Sequence, residues 1–247
     1  MLKISPLVVA AVVLSAGGAS AQSYGDFASY YALMRTAVTG LPPIATSTIL
    51  GERQNGAEFA VRYGNVSSGD LTASFNNFGA SAVFGGDGTS SITLTGGVSS
   101  PSRGSSSLML GIGGDMRLTD MPMSDSRNAT LLRVGLNGEF GYGRPSHITL
   151  LAGSVGLPLS LIMRGGARDG MRIAPFLTPA FAFGDFSPDN DVRPPFDQSG
   201  SGSHFALGGG IAIYNRTSSV ALDLGFQNVF VDGGHTEFGI GLVLGGR

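Results

Sequence analysis

The chain has 247 residues, no cysteine and no tryptophan, and 15 Lys+Arg against 17 Asp+Glu. That excludes disulfide scaffolds and thiolate chemistry, and it leaves no polybasic surface to suggest a nucleic-acid partner. The length suits one domain or one closed barrel, and forty glycines stand where a water-exposed sheet would carry lysine.

Residues 1–21 read as a secretory signal peptide. Lys3 supplies the positive start, 7–14 the apolar run, and Ala19-Ser20-Ala21 the small-residue cleavage site. The apolar run is shorter than the ~18 residues a spanning helix requires. Lys3 is the sole lysine, so the exported chain has none.

Residues 22–55 differ from the rest of the mature chain and read as an N-terminal helix and linker. Asp26 is a suitable N-cap; Phe27, Tyr30, Tyr31, Met34 and Val38 recur at spacings of three and four, and Gly40 with Pro42-Pro43 ends the run. Two placements are open: a cap on the periplasmic mouth, or a plug inside a lumen.

Residues 56–247 carry about ten strand patterns, with eight and twelve as the alternatives. The first, 57–66, sets Phe59, Val61 and Tyr63 against Glu58 and Arg62. The second, 71–84, slips phase at Asn76-Asn77, which predicts a β-bulge. In the third, Ile92, Leu94 and Val98 oppose Ser91, Thr93 and Thr95. The fourth, 107–118, opposes Leu108, Leu110, Ile112 and Met116 to Asp115 and Arg117, and a loop is expected over 119–129.

The fifth, 130–142, is the clearest, with Leu132, Val134, Leu136, Phe140 and Tyr142 against Arg133, Asn137 and Glu139. The sixth, 147–163, is apolar nearly throughout, so its phase is ambiguous, and Pro158 bends or ends it. The seventh, 172–184, contains Pro175 and Pro179 and precedes the longest loop, 185–203. The eighth, 204–214, alternates Phe205, Leu207, Ile211 and Ile213 with Ala206, Gly208, Gly210 and Ala212. Two more close the chain: Val220, Leu222, Leu224 and Phe226 opposite Asp223 and Gln227, then Phe238, Ile240, Leu242 and Leu244 opposite Glu237 and Val243.

On the clearly phased strands Glu58, Arg62, Asp115, Arg117, Arg133, Glu139, Asp223 and Glu237 all share the face opposite the large apolar residues. A soluble sandwich obeys the same rule with inside and outside exchanged, so the size of the polar face decides. It is dominated by Gly, Ala, Ser and Thr, which suits a narrow lumen better than a water-washed exterior. The runs also exceed the ~5–6 residues usual in globular sheets and approach the ~9–11 that cross a bilayer. Tyr63, Phe84, Phe140, Tyr142, Tyr214, Phe230 and Phe238 gather near strand ends, as an interfacial girdle would.

The signal peptide, the cysteine-free meander and the chain ending resemble the small outer-membrane β-barrel proteins of Gram-negative bacteria. Their last strand carries an assembly signal of the form polar-x-Gly-x-x-apolar-x-apolar, and Glu237, Gly239, Leu242 and Leu244 occupy those places. The chain then ends Gly245-Gly246-Arg247 where the family usually ends on an aromatic residue. The resemblance implies an all-β, antiparallel up-and-down transmembrane barrel in the bacterial outer membrane. Its implied partners are outer-membrane lipids and, during insertion, the outer-membrane assembly machinery.

Three roles are open: a structural or surface-interaction barrel acting through extracellular loops, a narrow porin-like channel occluded by the N-terminal segment, or, least favoured, an outer-membrane enzyme. The eight inward charges would line a pore or pair into a lattice that closes it. His147, His204 and His235 read as polar rim residues too far apart for a metal, and Ser146-His147 and Ser203-His204 lack any catalytic motif around them. No cofactor, metal or catalytic site is assigned.

Overall fold

The computed structural model describes residues 56–68, 74–85, 89–101, 106–123, 130–143, 148–164, 170–188, 200–215, 220–230 and 235–245. The expected signal peptide and N-terminal helix, residues 1–55, lie outside them. Eleven strand segments run in chain order: β1 (Gly56–Ser68), β2 (Phe75–Gly85), β3 (Ser90–Pro101), β4 (Ser107–Pro122), β5 (Leu131–Gly143), β6 (Ile148–Gly156), β7 (Leu159–Arg164), β8 (Met171–Pro188), β9 (Gly200–Asn215), β10 (Val220–Val229) and β11 (His235–Gly245). Each pairs antiparallel with its neighbours, and β1 pairs with β11, so the sheet closes on itself.

β6 and β7 are two halves of one strand. Both pair with β5 and with β8 in a single unbroken register. The break is Pro158, which has no N–H for the ladder. Its carbonyl still accepts from Gly135 N at 2.8 Å, and Leu157 N donates to Pro179 O at 2.9 Å. The inside–outside alternation therefore passes through the proline: Ser154 and Ser160 are buried, while Val155, Leu157 and Leu159 are exposed. The two flanking strands thus fix a phase that periodicity alone leaves open. The barrel accordingly has ten strands.

The slip at Asn76-Asn77 is not a bulge. β2 keeps continuous register with both β1 and β3 through these residues. Asn77 is buried and Phe78 is 50% exposed, so ordinary alternation carries on. Asn76 reaches its neighbours instead, accepting from Tyr63 Oη at 2.7 Å and from Asn65 Nδ2 at 3.0 Å.

The irregularity lies in β4, where the register against β5 shifts between Arg117 and Thr119. The strand does not end at 118 but continues to Pro122, and Met123 N donates to Thr130 O at 2.8 Å. The predicted loop over 119–129 thus shortens to 124–129. Likewise β8 extends to Pro188 and β9 starts at Gly200, so much of the expected 185–203 loop is strand. Pro175 and Pro179 both sit inside β8 where it is paired with β9.

The faces are as the phasing predicts. Phe59 is 59% exposed, Ile112 53% and Ile240 46%, whereas Arg133 is 1% exposed. Tyr214 is a correction: it is buried in the lumen and not part of an outer girdle. It falls in phase with Ala212 and Gly210, which also point inward. The outer aromatics include a run across β8, β9 and the end of β10. The Phe181 and Phe205 rings lie 6.1 Å apart and edge-on, and Phe205 and Phe230 lie 5.6 Å apart.

Candidate functional site

The candidate site is the lumen, whose halves are built differently. The terminal half lies at the end where β1 begins and β11 finishes. Ile162, Ala174, Phe176, Ala212, Tyr214 and Val243 pack together there as one apolar cluster, with Leu131 against it. The Phe176 ring has room because β9 supplies Gly210 opposite it. A Cβ on Gly210 would stand 2.9 Å from that ring and closer still to the Leu224 carbonyl.

Beside this cluster is an ionic clamp. Arg133 donates from Nε to Asp120 Oδ1 and from Nη2 to Asp120 Oδ2, both at 2.7 Å. Arg117 Nη1 lies 3.4 Å from Asp120 Oδ2. The β4 bulge makes the clamp possible. With strict alternation after Arg117, Thr119 would face inward opposite Arg133 and Asp120 would face lipid. The extra residue restores the phase, so Asp120 pairs with Arg133 across the ladder.

Midway up, polar side chains meet across strand pairs. Gly241 sits in the ladder between Arg62 and Asp223, and a Cβ there would be 3.5 Å from Arg62 Cγ and 3.6 Å from Asp223 Cβ. Ser91 Oγ donates to Asp115 Oδ2 at 3.3 Å, and Ser154 Oγ to Glu139 Oε1 at 3.2 Å. Asp223, Glu139 and Asp115 all lie within electrostatic reach of the Arg62 guanidinium. Arg62 Nη2 and Asn137 Oδ1 are buried with no hydrogen-bond partner among the described residues.

The eight charges read from sequence therefore separate. Arg62, Asp115, Glu139 and Asp223 share the middle of the lumen, while Arg117 and Arg133 belong to the clamp at the terminal end. Glu58 lies in β1 near that end, and Glu237 in β11 toward the loop end. Asp120 escapes a reading by periodicity because its stretch resembles a loop. Its signal is Arg133, a buried-face cation with no counter-charge in the strand patterns. Among the described residues no group of His, Asp or Glu is arranged to hold a metal ion. His204 lies within β9 rather than at its start, and His147 lies outside the described residues.

The exterior decides what surrounds the molecule. Large apolar side chains are exposed on every strand around the circumference, far beyond the few hundred Å² a soluble monomer tolerates in one patch. Closure leaves no sheet edge within that band, as hydrocarbon requires. The chain is a small outer-membrane β-barrel.

No family model matches the sequence, and no curated protein does. Solved structures that align with the barrel include Ail, the attachment invasion locus protein of Yersinia pestis, at 12% identity and a TM-score of 0.33, covering 78% of this chain and 98% of that one. The translocator domain of the autotransporter NalP from Neisseria meningitidis aligns at 10% identity and a TM-score of 0.36, covering 81% and 92%. Omp33 of Acinetobacter baumannii aligns at 10% identity and a TM-score of 0.30, covering 78% and 98%. Likenesses this distant carry no information on role.

Proposed function

We propose that the barrel is non-conducting and acts through its loop end, where it holds up a sheet for contact with another surface. One observation supports this most. β8 and β9 stay paired out to Phe186 and Gly200, whereas the ladder of β9 with β10 stops at Ala206, with one further bond from Phe230 N to Phe205 O. On its other side β8 pairs with β6 up to Ile148. A three-stranded sheet of β6, β8 and β9 thus projects past the rim. The outer edge of β9 over 200–204 has no ladder partner among the described residues. An unpaired edge of Gly, Ser and His in water is open to pairing with an extended segment of a partner.

In this reading the chain termini face the periplasm and the connection 189–199 faces outward. Longer loops outside and shorter turns inside is the usual asymmetry. Glu237, Gly239, Leu242 and Leu244 on β11 serve recognition by the assembly machinery, Leu242 presenting its side chain outward. Catalysis has no part in the reading.

A narrow channel is the second reading, favoured by the polar belt of Arg62, Asp115, Glu139 and Asp223. Planar-bilayer recordings separate the two. The intact protein should give no steady single-channel steps, and steady steps would overturn the first reading. Protease added to whole cells should cut within 189–199; cutting within 124–129 instead would reverse the orientation.

A further inference from the structure

The loop-end half of the lumen poses a problem of volume. Eight strands enclose a space that side chains just fill, and diameter grows with strand number. Ten strands therefore need larger inward residues, yet this half is lined with small ones. Ser99, Ser107, Ala152, Ala182 and Ala206 point inward, and none extends more than one heavy atom past Cβ. Even so, all are shielded from water: Ser99 and Ala206 are 0% exposed, Ser107 2%, Ala182 3% and Ala152 5%. The apolar cluster they form is confined to Ala182 and Ala206 with Ala180 against it. Short side chains on opposite walls of so wide a barrel cannot exclude water from one another. Something besides the strand side chains fills this half.

Length, attachment and chemistry point to one occupant. Residues 22–55 precede β1 directly, so they start from the terminal end of the same barrel. The 16 residues of 40–55 can extend roughly 50 Å, more than enough to traverse the lumen. The helix pattern over 26–38 combines an apolar stripe of Phe27, Tyr30, Tyr31, Met34 and Val38 with a single cation, Arg35. The lumen offers the complement of both. Phe176, Tyr214 and Val243 give an apolar wall, and Asp115, Glu139 and Asp223 outnumber Arg62 three to one among the groups that act on it.

We propose that residues 26–38 occupy the lumen as an amphipathic plug, with Arg35 set toward the acidic belt and the apolar stripe against the wall formed by β8 to β11. The plug explains how a barrel lined with Gly, Ala and Ser stays dry. It rests on the reading of the barrel as closed, but can fail separately from it.

The absence of native cysteine makes the test clean. Ala206→Cys is paired in turn with Ala28→Cys, Tyr31→Cys and Arg35→Cys in the full-length protein, and separately with Asp191→Cys in the outer connection. Outer membranes carrying each double variant are oxidised, and intramolecular disulfides are read by non-reducing gel shift and peptide mass spectrometry. Heat-modifiability on the same gels verifies folding. A disulfide between position 206 and one of the three N-terminal positions, with loss of both free thiols, is the expected result. Linkage to position 191 alone would assign the filling to the outer connection and overturn the proposal. Absence of any N-terminal linkage in folded protein would overturn it as well. Single-channel steps from the unmodified chain would instead refute the closed barrel.

Discussion

The two halves of the lumen make the most instructive contrast in the molecule. At the terminal end the strands supply their own filling, with Phe176, Ile162 and Tyr214 on one side and the Arg133–Asp120 clamp on the other. At the loop end the same ten strands offer Ser and Ala, yet those residues are just as dry. One barrel thus keeps water out by two means, through side chains grown from its wall and through material brought in from elsewhere. A wall lined with small residues is then no sign of an open pore; it can equally be the socket for another element.

The largest expected effect is at the self-filled end. Phe176→Ala removes the bulkiest apolar member of the cluster beside a glycine that cannot fill the gap, and should cost about 4 kcal/mol. The urea midpoint of unfolding from lipid vesicles reads it. A loss under about 1 kcal/mol would mean the cluster is not a seal.

Asp120→Ala comes next, at about 3 kcal/mol, because it leaves Arg133 buried without its counter-charge. Arg117→Ala should cost less than about 1 kcal/mol, since that pair is longer and each partner is about a quarter exposed. If the two substitutions weigh equally in the same unfolding assay, the clamp has been misassigned.

Ala182→Leu probes the other half. In a filled socket the added atoms overpack the site at about 2 kcal/mol, whereas in an open lumen they would be nearly neutral. This variant sharpens the contrast most directly, because the two outcomes imply different contents. The smallest effect is a gain. Pro158→Ala restores an N–H facing the Gly135 carbonyl in an existing register and should stabilise by about 1 kcal/mol in the same unfolding assay.

The outward face was legible in the sequence because it needs only the strand's own alternation. Phe59, Leu110, Ile112 and Ile240 announce their side regardless of which strand lies next door. What could not be read depends on two strands at once. A bulge is a mismatch between neighbours, so the shift after Arg117 looked like a strand end, while Asn76-Asn77 looked like a bulge because two polar residues interrupted an apolar phase. Pro158 looked like a breaker because the carbonyl it still offers Gly135 depends on a partner strand. Tyr214 misleads for a different reason: its place near a strand end suggests a girdle, but its phase points inward, and phase is correct. Of the candidate site, the mid-lumen charges were visible as a face, but Asp120 and the aromatic filling were not.

The bulge after Arg117 also bears on how this chain tolerates insertions and deletions. Elsewhere in a strand, losing or gaining one residue transfers everything beyond it from one solvent to the other. At Leu118 the surplus residue is already present, so its removal would leave Arg117, Thr119 and Asp120 facing as they do now, in a ladder with no irregularity. The strand therefore contains one position where its length can drift by a residue while every charge keeps its side, and changes in length should be tolerated there before anywhere else in the wall.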